Sequence, residues 1–206
     1  MSGEARLEQA LQDARDNGDL LENLVFCRLT VDALDFSDLT FRRTEFRACR
    51  FTGCDFSGAS FYDCALENCQ FMDCRFPKSF WQRSRVTGCK GDGADFRKSR
   101  WKASSLRESL LRYANFTGAV WERGDITGSN LTESTLSENR VTGMSLQSVD
   151  LTGADLFRTS FRGCDLSTCT LDRIVLSETC RELKGAVING AQAAVVARIL
   201  GIEVLP

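Results

Sequence analysis

The 206-residue chain predicts an all-β solenoid, and three observations carry that prediction. First, one apolar phase runs through it: starting at Phe26 and stepping by five to Leu176, 30 of 31 landings are hydrophobic, with Gly91 the exception. Twelve of the fourteen phenylalanines and all three tryptophans fall on that phase, and neither a helical period of 3.6 nor a strand period of 2 generates it. Second, the position two residues before the landing carries Ala, Cys, Ser, Thr or Gly in 23 of the 31 units. Third, nine units carry Asp or Asn one residue before the landing, and nine carry Gly two residues after it. A large and a small residue separated by one polar residue both point inward in extended chain. The rest of the unit reads as a corner, where Gly tolerates positive φ and Asp or Asn bonds nearby backbone. Each unit is therefore one side of a polygon in an internal repeat.

A solenoid needs its open terminal coils covered, and both ends supply a cover. Residues 1–23 read as an N-terminal cap helix and lead-in: Leu7, Ala10, Leu11 and Ala14 lie at helical spacing over residues 4–16, and Asn17-Gly18 is a stop signal. Residues 24–178 are the repeat. Its first four units place Leu24, Leu29, Leu34 and Leu39 at the usually small position, which suits a tapered plug. Gly91 predicts either a cavity or a bulge within Lys90-Gly91-Asp92-Gly93. After Leu176 the repeat fades, and residues 179–206 form the C-terminal cap. There Asn189 with Gln192 reads as a helix N-cap, a helix carrying Val195, Val196, Ile199 and Leu200 follows, Gly201 ends it, and Ile202-Glu203-Val204-Leu205 is an extended tail.

Composition excludes several classes of function. The chain has no histidine, which removes the commonest general base and metal ligand, and it has no glycine-rich phosphate loop. It is read as a non-enzyme with no catalytic residue, no metal and no cofactor. Eight of the ten cysteines (Cys49, Cys54, Cys64, Cys69, Cys74, Cys89, Cys164 and Cys169) occupy the small inward position and no CxxC pair exists, so they read as small core residues. With no signal-peptide-like or membrane-spanning apolar run, the expectation is a soluble cytoplasmic protein.

Units such as Cys54-Asp55-Phe56-Ser57-Gly58, Ala114-Asn115-Phe116-Thr117-Gly118 and Cys164-Asp165-Leu166-Ser167-Thr168 resemble the pentapeptide-repeat family, whose motif is written A(D/N)LxX. That resemblance implies a right-handed quadrilateral β-helix with four units per coil, hence nearly eight coils and a rod of about 37 Å at the inter-strand spacing. Residues twenty apart then become vertical neighbours. The ladders Trp81-Trp101-Trp121 and Phe36-Phe56-Phe76-Phe96-Phe116 agree with four sides.

The C-terminal string Ala191-Gln192-Ala193 through Arg198-Ile199-Leu200-Gly201-Ile202-Glu203-Val204 resembles the end of the quinolone-resistance (Qnr-type and MfpA-type) branch, as do Ser137-Glu138-Asn139-Arg140 and Gly93-Ala94-Asp95-Phe96-Arg97. That branch implies a homodimer through the C-terminal end, here using Val195, Val196, Ile199, Leu200, Ile202 and Val204. It also implies DNA gyrase or topoisomerase IV as partner, bound by an acidic mimic of duplex DNA, with no direct contact to nucleic acid or membrane. The unbroken register leaves no projecting loop of the kind some of those relatives carry. The candidate column is Asp35, Asp55, Asp95, Asn115 and Asp155, with Arg75 and Thr135 between; the same Asp position equally serves to close its own turn. Net charge is only −2. The alternative surface is the face of the three tryptophans, with Arg42, Arg43, Arg83, Arg100, Lys102, Arg123, Arg140 and Arg162 against Asp63 and Glu122, which suits an acidic partner. Phe80, Val120 and Phe157 read as exposed apolar residues.

Overall fold

The computed structural model describes residues 3–205. It is a parallel β-solenoid between two helices, α1 (Gly3–Asp16) and α2 (Gly190–Ile199). Four faces are built at a register of twenty residues. The first face stacks seven three-residue strands from Leu20–Glu22 to Arg140–Thr142, and the second stacks seven from Val25–Cys27 to Ser145–Gln147. The third has strands Thr30–Asp32, Arg50–Thr52 and Gln70–Met72, continued by bridges Gln70↔Lys90↔Leu110↔Asn130↔Asp150↔Thr170. The fourth is a ladder of bridges alone, Asp35↔Asp55↔Arg75↔Asp95↔Asn115↔Thr135↔Asp155↔Val175. Pairing begins at Leu20, one unit before the run that starts at Phe26, with Leu21 buried on the same phase.

The landing residues meet inside the rod and stack on their vertical neighbours. Ring centroids along the fourth face are 4.5, 4.7, 4.8 and 4.9 Å apart from Phe36 to Phe116, all within about 11° of parallel. On the first face Trp81–Trp101 and Trp101–Trp121 are 4.6 and 4.9 Å apart. Strand spacing sets these separations, so like rings keep offset-stacked contact along the whole column.

The small position proves to be polar as well as small. Its hydroxyls and thiols bond backbone groups of the adjacent coil. Ser84 Oγ donates to the Phe61 carbonyl at 3.0 Å and accepts from the Cys64 N–H at 3.0 Å, while Ser104 Oγ accepts from the Ser84 N–H. Cys69 and Cys89 thiols donate to the Phe46 and Leu66 carbonyls. All eight in-phase cysteines are buried and free, whereas Cys27 is exposed and Cys180 half-buried. At most corners the residue two after the landing is left-handed whether or not it is glycine, as Gly93 (φ 72°) and Tyr113 one coil on (φ 60°) show; Thr168 and Glu178 are exceptions. A side chain there costs about 1–2 kcal/mol relative to glycine, and the corner's N–H bond is made either way, by Gly93 to the Arg112 carbonyl at 2.7 Å and by Tyr113 to the Thr132 carbonyl at 2.9 Å.

Gly91 makes neither a cavity nor a bulge. The bridges Gln70↔Lys90 and Lys90↔Leu110 keep the register, and its N–H bonds the Leu110 carbonyl at 2.9 Å. A Cβ there would lie 3.0 Å from Leu111 Cδ2 and 3.6 Å from Phe71 Cβ, so its neighbours already fill the space.

At the N-terminal end Leu7 and Ala14 of α1 are buried against the first coil, with Ala10 and Leu11 packed behind them. At the other end the solenoid continues past Leu176 after a two-residue insertion. The regular N–H to C=O step of 19, as in Leu156 to Val175, becomes 21 in Phe161 to Glu182 and Leu166 to Val187. Leu183 and Ile188 take up the phase beyond it. The inserted turn buries Glu182 (1 % exposed), whose carboxylate accepts from the Arg158 N–H at 3.0 Å and Ser177 Oγ at 2.8 Å. Among the described residues no helix is long and apolar enough to cross a membrane.

Candidate functional site

The solenoid offers three surfaces: the Asp column of the fourth face, the basic first face and the C-terminal end. The column is assembled by the bridges of the fourth face, which place Asp35, Asp55, Asp95, Asn115 and Asp155 in one line. Each side chain turns onto its own corner. Asp35, Asp55, Asp95, Asn115 and Asp155 accept the N–H of Ser37, Ser57, Arg97, Thr117 and Phe157 at 2.8–3.0 Å, an Asx turn repeated along the rod. Arginines then take much of the remaining charge. Arg75 bridges Asp55, Arg97 grips Asp95 with two nitrogens, and Arg15 of α1 lies 3.9 Å from Asp35. Hydrogen bonds from Ser37 hold the Asp35 carboxyl below the usual carboxylate range, with Arg15 adding to them. Burial works against ionisation at Asp55 and Asp95, yet bonds from Ser57 and Arg75, and from Arg97, keep both low.

The eight cations of the first face divide along the rod. Arg42 and Arg43 reach Glu22 at 3.6 and 2.7 Å, Arg83 pairs with Asp63 at 2.6 Å, and Arg100 lies 3.8 Å from Glu122. The Asp63 carboxyl is lowered by that Arg83 bond. Lys102, Arg123, Arg140 and Arg162 lie in no ion pair among the described residues. Phe80 and Val120 are half-buried rather than exposed, because Phe80 packs edge-on to Tyr62 at 5.5 Å and beneath Arg100 at 6.0 Å. Phe157 is exposed at 37 % and covered on one face by Arg158.

The C-terminal end is held by polar contacts. Asn189 and Gln192 form a capping box at the start of α2, and Gln192 Nε2 donates to the Leu166 and Cys169 carbonyls at 2.7 and 2.6 Å while Asn189 Nδ2 reaches the Ser167 carbonyl. These bonds close carbonyls of the last full coil, and Gln192 is the buried residue of α2. The apolar side chains stay outside: Ile199, Leu200 and Ile202 are exposed and Val195, Val196 and Val204 half-buried, while Val175 and Val187 are exposed on the fourth and second faces of the last coil. Among the described residues no cluster of three or more His, Cys, Asp or Glu is arranged to hold a metal.

Two family models match this chain. One, described as "Pentapeptide repeat region", covers residues 59–136; the other, "Pentapeptide repeats (8 copies)", covers residues 40–77 and 129–173. No curated protein matches. Among solved structures, a trypsin-treated form of QnrB1, described as a plasmid-mediated fluoroquinolone resistance protein, is 16 % identical with a TM-score of 0.49, covering 89 % of this chain and 100 % of that one. A second trypsin-treated QnrB1 form is 22 % identical with a TM-score of 0.47, covering 91 % and 99 %. HetL, a pentapeptide repeat protein involved in heterocyst differentiation regulation from the cyanobacterium Nostoc sp. strain PCC 7120, is 15 % identical with a TM-score of 0.31, covering 86 % and 94 %. The two family matches together run without a gap from residue 40 to residue 173, over the same coils that the ladders build, and the chain belongs to the pentapeptide-repeat family.

Proposed function

We propose that this solenoid is a non-enzymatic interaction rod that pairs with a second copy through its C-terminal end and binds a type II topoisomerase, DNA gyrase or topoisomerase IV, protecting it from quinolone-class or other poisons. The observation that carries the reading is the construction of that end. Gln192 and Asn189 seat α2 by hydrogen bonds to coil carbonyls, which leaves Ile199, Leu200 and Ile202 facing solvent. A self-complementary contact would bury these residues and both open ends together. The segment that does this is the one that resembles the quinolone-resistance branch.

The fourth-face column is the surface we assign to the topoisomerase. Its carboxylates are spaced by the coil, but Arg75 and Arg97 already neutralise Asp55 and Asp95. Binding through it therefore exchanges those arginines for cations of the enzyme; it does not present a bare line of negative charge. Surface bridges of this kind are worth about 0–1 kcal/mol each, so the exchange is thermodynamically open. The experiment is binding of purified gyrase to the immobilised protein, alongside the solution mass of wild type and of Ile199→Glu/Leu200→Glu. A dimer that the double variant converts to monomer, together with saturable gyrase binding, is expected; a wild-type monomer, or absence of gyrase binding, would overturn the corresponding half of the proposal.

A further inference from the structure

The division of the basic face singles out its C-terminal half. Lys102, Arg123, Arg140 and Arg162 sit on successive coils of one face, as the pairings Arg100↔Val120↔Arg140 and Lys102↔Glu122↔Thr142 fix. The inserted turn extends the row, because Gly163 bonds Gly185 and so brings the exposed Lys184 onto the same face. The carboxylate within this stretch is Glu122, already drawn to Arg100 at 3.8 Å. Two of the cations are laid in place by glycine: Arg123 Cγ lies 3.5 Å from where a Gly143 Cβ would stand, and Arg162 Cγ 3.2 Å from that of Gly185. The stems thus run along a corner of low relief, with the guanidinium ends free to bond outward.

From Lys102 to Lys184 is four coil steps, roughly 19 Å, a length that about six residues of extended chain span. The half-buried Val120 adds an apolar contact in the row. The whole chain carries −2 and the cations further along this face, Arg42, Arg43, Arg83 and Arg100, already lie against carboxylates, so a long polyanion such as duplex DNA would run off the unpaired stretch onto paired or acidic surface. A short acidic segment would not.

We propose that Lys102, Arg123, Arg140, Arg162 and Lys184 form a docking surface for an extended acidic segment of a partner protein. This surface is separate from the fourth-face column, and four of its five cations lie on coils before the C-terminal end, so it stands or falls independently of the topoisomerase reading.

The test is fluorescence anisotropy of a dye-labelled peptide of six consecutive glutamates, titrated with the full-length protein at several salt concentrations. Binding is expected that weakens as salt rises. Arg123→Glu/Arg140→Glu/Arg162→Glu should weaken it by about tenfold or more, since three exposed charge pairs are removed. Arg42→Glu/Arg83→Glu, on the paired half, should change it less than about twofold. Should the charge-reversed triple variant fail to fold by circular dichroism, the corresponding Gln variant takes its place with the same expected direction. No peptide binding, an equal loss in the Arg42/Arg83 variant, or a twelve-base-pair duplex competing as well as unlabelled peptide would each overturn the proposal.

Discussion

Trp101 and Trp121 stack 4.9 Å apart, yet only the first completes its hydrogen bonding. Trp81 and Trp101 donate from Nε1 to Ser79 and Ser99 Oγ at 2.9 Å. Trp121 has Ala119 at the equivalent position, and its buried Nε1 has no partner. The ring lies at a fault in its column: Val141 follows it, and a cavity of about 10 Å³ opens among Trp121, Asn139, Val141, Met144, Thr159 and Phe161.

Ala119→Ser should therefore stabilise the protein, by about 1 kcal/mol, by supplying the partner that two tryptophans already have. Ser99→Ala should cost about 1–3 kcal/mol by orphaning the Trp101 N–H. Urea unfolding followed by tryptophan fluorescence measures both. Loss of stability in Ala119→Ser would show that the hydroxyl does not reach the indole.

Restoring the apolar phase at Gly91 should harm the fold. Leu111 and Phe71 already occupy the space around it, so Gly91→Leu should cost about 1–3 kcal/mol through overpacking. A higher melting temperature in that variant would mean that the site is hollow after all.

The C-terminal insertion should be acid-sensitive through Glu182. Burial works against its charge, but the Arg158 N–H and Ser177 hydroxyl hold its carboxyl below the ordinary value of 4.5. A carboxyl lowered in the folded state contributes stability above its unfolded pKa, and that contribution is lost as pH falls through the folded value. Glu182→Gln should be less stable at neutral pH and lose less on acidification below about pH 4.5. Parallel pH–stability curves for the two proteins would contradict this.

Thiol chemistry should count the repeat. Cys27 and Cys180 should react with an aromatic disulfide reagent in the native state and the other eight only after unfolding. Burial pushes the Cys64 thiol up to about 11, which adds to its inaccessibility. Rapid reaction of more than two thiols in the native protein would place a coil on the surface.

Much of the fold was legible because the five-residue phase depends on hydrophobicity and size alone, and both are written in the sequence. The end of the solenoid was not. The phase resumes at Leu183 and Ile188 after two extra residues, and two positions are too few to announce a repeat. Nor did the small position advertise its chemistry: Ser84 and Ser99 look like space-savers until their hydroxyls are seen on backbone carbonyls and an indole. The charges misled when summed by face. Arg75 with Asp55, Arg83 with Asp63, Arg112 with Asp92 and Arg158 with Glu138 are each twenty residues apart, so charge has to be compared down a column. Which partner a surface takes is a property of two molecules, so the residue pattern of one chain carries the surface and not its partner.

The most direct measurement of the central claim is DNA gyrase supercoiling across a titration of this protein, with and without a fluoroquinolone. The account predicts that supercoiled product returns in the presence of the drug as protein is added, and that Asp35→Asn/Asp55→Asn/Asp95→Asn/Asp155→Asn, which keeps the turn-closing oxygen, restores it less. Supercoiling that stays unchanged at every protein concentration, with the drug and without it, would contradict the topoisomerase reading.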